Sequence, residues 1–182
     1  VRFAEAFQAA ADRLAVAGAW FAAACVVALT GLVLLEILVA ALARLVPAMP
    51  ATIHVGWEYS GYLMGAAFLS GAAFTLRAGL QIRVEILLRA GGPGLRRGLE
   101  TVATLIGALV TLFLTRALVE LGWRTWSFGE VSQDSFTPLW IPQACLAAGM
   151  ALLALQMTAR LATLLAGGAP SRPELGAPSA ID

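Results

Sequence analysis

The chain contains no lysine and no asparagine, a single histidine and two cysteines. Charged residues make up 13% of it, about half the share carried by a soluble globular domain. Each scarcity closes a class. His54, Cys25 and Cys145 cannot furnish a four-ligand zinc site, a bis-histidine haem site or a disulfide framework. Without a G-x-x-x-x-G-K-[ST] stretch the chain has no phosphate-cradling loop and is not an ATPase by itself. Twelve basic residues, all arginine, stand against 11 acidic ones, and a net charge of +1 is no footprint for nucleic acid. No cofactor and no metal are expected. The missing lysine and asparagine, beside abundant alanine and leucine, read as a coding bias rather than as chemistry.

What remains is apolar side chain. Of 182 residues, 60% are hydrophobic, and the mean hydropathy is +0.83. A water-soluble fold of this size cannot hide that much, so the excess must face lipid. Crossing a hydrocarbon core of about 30 Å takes roughly 20 apolar residues in a helix. Charge-free stretches run over 14–35, 59–76, 101–115 and 135–159. They predict an all-α membrane protein with four transmembrane helices, at about 14–45, 57–77, 97–123 and 139–165. Lipid-facing backbone must be bonded internally, which leaves helices as the economical solution. Residues 1–168 read as one domain. The tail 169–182 holds three prolines and few apolar anchors, and disorder is expected there. The opening is not a signal peptide, because its charges are spread and the following apolar run is far too long.

Arginine placement predicts orientation. Arg77, Arg83, Arg89, Arg96 and Arg97 crowd the connection between helices 2 and 3, and Arg2, Arg13, Arg160 and Arg172 flank the termini. Both termini and that connection should be cytoplasmic. Trp57, Trp123, Trp126 and Trp140 then fall near the outer interface, where amphipathic rings prefer to sit. The segment Gln81–Leu95 mixes apolar and charged residues and is too short to cross, so it reads as a short interfacial amphipathic helix.

Depth decides what the remaining charges do. Counting along their helices places Glu36 and Arg116 near the outer face, with Glu120 one turn above Arg116 and able to pair with it. No charge is then expected at the midplane, which argues against a proton relay or carboxylate site within this chain. Glu36 can pair with a partner's arginine or sit at headgroup level. Glu58 can contact a partner or stabilise the positive end of helix 2. Gly61 and Gly65 form a G-x-x-x-G, which lets helices approach closely, within the chain or against another membrane protein.

Two segments resemble a known family. Leu76-Arg77-Ala78-Gly79-Leu80-Gln81-Ile82-Arg83-Val84-Glu85 is similar to the helix 2 exit of the small permease subunit of tripartite ATP-independent periplasmic (TRAP) transporters, the DctQ type. Thr137-Pro138-Leu139-Trp140-Ile141-Pro142-Gln143 resembles the start of its helix 4, and Trp57-Glu58 the start of its helix 2. Gln81 stands where the family usually has histidine. The resemblance implies a non-enzymatic inner-membrane subunit of a bacterium, in a heterodimer with a large permease that holds the substrate and sodium sites. A periplasmic solute-binding protein would deliver an organic acid, docking partly on outer residues such as Glu130 and Asp134. The other readings of the residues are a self-sufficient small four-helix exporter and a non-catalytic membrane anchor of another complex.

Overall fold

The structure, a computed structural model, describes residues 2–46, 50, 52–79 and 92–167. They form four helices: α1 (Arg2–Leu45), α2 (Gly56–Ala78), α3 (Pro93–Phe128) and α4 (Trp140–Leu165). Among the described residues the one extended-type backbone bridge joins Val131 and Pro138. The all-helical expectation therefore holds. Three stretches are long and apolar enough to cross a membrane: Ala6–Leu45, Arg97–Phe128 and Trp140–Leu165. The 23 residues of α2 are long enough, but four glycines, two tyrosines, Glu58 and Arg77 make it less apolar. Residues 80–91 and 168–182 lie outside the described residues, and with them Gln81, Arg83, most of the expected interfacial helix and the expected disordered tail.

Among the described residues α1, α2 and α4 pack against one another, whereas α3 touches α4 alone. The inward face of α1 carries Gln8, Ala11, Ala15, Gly18, Ala22 and Cys25. These residues alternate by three and four, the 3.5-residue period of left-handed helix packing. That seam explains why α1 begins well before Leu14, where the apolar run starts. Gln8 and Ala11 are as buried as the alanines above them.

α3 repeats the device with threonine. Thr104, Ala108, Thr111 and Thr125 are buried among its described residues. The hydroxyls of Thr104, Thr111 and Thr115 donate to the carbonyls of Glu100, Gly107 and Thr111, four residues back, at 2.7–2.8 Å. Each polar group is thus satisfied within its own helix, which lets threonine serve as a small packing residue in an apolar setting.

The three core helices meet at backbone distance. A Cβ on Gly18 of α1 would lie 2.7 Å from the Ser70 carbonyl oxygen of α2. One on Gly149 of α4 would lie 2.8 Å from Leu69 Cβ and 2.9 Å from the Ser70 nitrogen. Without a hydrophobic drive between helices in lipid, such close approach is what holds them together. The G-x-x-x-G of α2 divides its roles. Gly65 packs against Leu146, 3.0 Å from its would-be Cβ, while Gly61 faces open space.

Gly149→Ala should therefore destabilise the bundle by about 2 kcal/mol, since backbone must move to admit the methyl group. Gly61→Ala should be neutral or slightly stabilising, as helix propensity alone then counts. Thermal unfolding of the two variants in detergent checks the contrast.

Candidate functional site

Two polar clusters sit at opposite ends of the bundle. At the lower end, where α1 begins, the Asp12 carboxylate gathers three helices. Arg77 Nε of α2 lies 3.0 Å from Asp12 Oδ1 and donates to Oδ2 at 3.2 Å. Gln156 Nε2 of α4 donates to Oδ1 at 3.1 Å, and Gln8 Nε2 does so from one turn below at 2.7 Å. Thr163 of α4 donates to the Gln8 side-chain oxygen at 3.2 Å. The side chains of Arg77 and Asp12 are 4% and 12% exposed. An ion pair this buried needs such flanking bonds, because its own attraction barely offsets desolvation. α3 is tied in lower still, where Arg97 Nη2 donates to the Leu164 carbonyl at 2.8 Å.

At the upper end Glu58 holds the connection between α3 and α4. α3 stops at Gly129, whose φ of 64° is the left-handed turn that glycine admits without strain. The chain then folds back on itself: Ser132 N–H donates to the Thr137 carbonyl and Leu139 N–H to that of Glu130, at 2.9 and 3.1 Å. Ser135 N–H donates to Glu58 Oε2 at 3.2 Å, and Tyr62 donates its hydroxyl to Oε1. Tyr59 and Thr137 share a hydrogen bond of 2.8 Å between their hydroxyls. Phe136 is left at φ 55°, an uncommon conformation for a bulky residue, and is 73% exposed.

The expected site residues divide accordingly. The structure brings together Trp57-Glu58 and the segment around Pro138, two motifs far apart in sequence. Glu58 turns inward to its own chain, while Trp57 stands exposed beside it. The Glu36 carboxylate lies against Gly56, the first residue of α2, 3.4 Å from its would-be Cβ. That sets a carboxylate beside the positive end of α2. Glu130 and Asp134 are exposed on the upper connection. Trp140 and Pro142 open α4. Trp140 joins Leu118, Trp123, Trp126, Ala147 and Ala151 around an apolar groove of about 610 Å³ between α3 and α4.

Arg116 and Glu120 do pair, at 2.7 Å, but lower than counting from Arg97 implies. Arg97 reaches the C-terminal end of α4, below the Asp12 cluster, so the count starts too deep. On this outer surface of α3 the pair stands between the two polar clusters, in register with the middle of α4. Sequence reasoning also missed Asp12, Gln8 and Gln156. Gln156 is the one amide within the long apolar run of α4 below Gln143, a signal that could have exposed the lower cluster.

Glu58→Ala should free the upper connection without unfolding the bundle. Amide hydrogen exchange at Ser135 should accelerate by at least about tenfold, as a bond to a charged acceptor contributes 1.5–3 kcal/mol, while exchange within α4 below Ala147 stays unchanged.

Comparison with curated proteins and with solved structures returned no match. A family model matches residues 29–167, described as tripartite ATP-independent periplasmic transporters, DctQ component. The match runs from the Glu36 side of α1 through Glu58, Arg77 and the folded-back connection to the last turn of α4, and Gln8 and Asp12 lie before it. The chain thus belongs to the DctQ family, the small membrane subunits of TRAP transporters.

Proposed function

We propose that this chain braces the large permease of a TRAP transporter in a bacterial inner membrane and helps dock the periplasmic solute-binding protein, for sodium-driven uptake of an organic acid. In this reading α2 is the fourth span. From Glu58 to Arg77 the helical rise carries it about 28 Å, close to the hydrocarbon thickness. The two polar clusters then mark the two interfaces. The arginine bias favours the cytoplasmic side for the lower cluster, both termini and the connection that carries Gln81 and Arg83. The upper connection is periplasmic. It is pinned by Glu58, and it presents Glu130, Asp134 and Phe136 to a docking protein.

The observation that carries the bracing role is the closed axis. α1 and α4 each meet the backbone of α2 beside Ser70, through Gly18 and Gly149, and the Leu152 side chain of α4 fills the space at Gly18, while the buried charged residues Glu58, Arg77 and Arg160 lie toward the two ends. A passage for a solute would have to separate those backbones. Transport then falls to the partner, and this chain supplies position. No catalytic role enters this reading.

Reconstitution tests it. Liposomes holding this chain alone, with an inward sodium gradient, should accumulate no labelled organic acid. Adding the large subunit and the binding protein should restore uptake, and Phe136→Ala should lower it at equal subunit content. Uptake by the isolated chain would refute the bracing role.

A further inference from the structure

We infer that the face of α3 bearing Phe113, Arg116, Val119, Glu120 and Trp123, with the tryptophan-lined groove beside it, seats a transmembrane helix of the large permease subunit. The inference rests on the bracing role proposed above and locates its contact surface. Depth is its first support. Gly107 of α3 lies against Met157 of α4, whose Cε is 3.1 Å from the would-be Cβ, level with Gln156 of the lower cluster. Arg116 stands about 14 Å higher by helical rise, half of the interval between the clusters. Gly122 lies against Gln143, 3.8 Å from its Cβ, and confirms the register from above.

Exposure is the second support. Arg116 and Glu120 are 80% and 63% exposed, on the helix that touches only α4. Facing lipid there, even a single arginine or acidic residue costs about 3 kcal/mol on insertion scales. The side chains turn to each other, which cancels net charge but leaves most of their hydrogen-bonding capacity unmet. A helix offering polar groups at that height would meet it, and hydrocarbon would not. The groove is the third support. Val119 and Trp123 line it and also stand three and seven residues beyond Arg116 on the same side of the helix, so the polar patch and the apolar groove form one continuous surface. A two-fold copy of this chain fits less well, because symmetry about the membrane normal would set each Arg116 level with another Arg116.

The test uses the two subunits expressed together in membranes. Benzoylphenylalanine replaces Phe113 or Val119 on this face, or Val27 on the exposed side of α1. Irradiation should give adducts of this chain with the large subunit from the first two positions and not from the third. Adducts from Val27 alone, adducts between two copies of this chain, or lipid adducts only, in a complex that still copurifies, would overturn the assigned surface while leaving the bracing role standing. Failure of the wild-type subunits to copurify would overturn both. A second variant combines Arg116→Leu with Glu120→Leu. Alone, it should melt no lower than wild type in detergent, since it removes exposed charge. Its recovery with the large subunit should fall by at least about tenfold, since losing a buried charged contact costs more than that. Unchanged recovery would overturn the inference.

Discussion

The Asp12 carboxylate ties the lower end of the bundle together. It sits on α1 and accepts bonds from α2 through Arg77 and from α4 through Gln156, so the relative height of three helices is set at one atom pair. A buried carboxylate left without partners would cost several kcal/mol. Sliding α2 by a turn would take away its arginine, and sliding α4 its bond from Gln156. Bulky apolar side chains discriminate less, because lipid tails are as apolar as leucine. The knot therefore supplies register, and the small-residue seams supply adhesion.

Register at the lower end is what allows contact higher up. Gly18 and Gly149 meet α2 at backbone distance on either side of Ser70, an arrangement that tolerates little axial error. At the upper end Glu58 performs the matching task for a connection instead of a helix, turning Gly129–Leu139 into a fixed platform. The bundle is thus held at both ends by hydrogen-bonded carboxylates and in the middle by close-packed backbone. α3, fastened only to α4, keeps most of its surface for something else. A rigid three-helix post with one outlying helix suits a protein that positions another.

Hydropathy made the helices legible. The spans expected from hydropathy end within five residues of the helices everywhere but at the start of α1, since lipid imposes both length and composition. The Trp57-Glu58 and Thr137-Pro138 motifs were visible in sequence, yet their meeting was not, because the fold-back after Gly129 rests on serine and threonine bonds that leave no periodic trace. The lower cluster was hidden differently. Asp12 looked like one of several flanking charges and Arg77 like one of five topological arginines, and no spacing rule links them across 65 positions. Arg116 stands lower against α4 than a count from Arg97 suggests, because counting along one helix ignores where its neighbour ends. The alanine and glycine seam of α1 was readable by its three-and-four spacing, though hydropathy alone passes over it.

The most direct test of the account is a double-mutant cycle on Asp12→Ala and Arg77→Ala, with unfolding free energies measured in detergent or bicelles. A knot that sets helix register should show a coupling of about 2 kcal/mol or more between the two sites. Single-variant losses that simply add, to within about 0.5 kcal/mol, would mean that the carboxylate is incidental and that packing alone orders the helices.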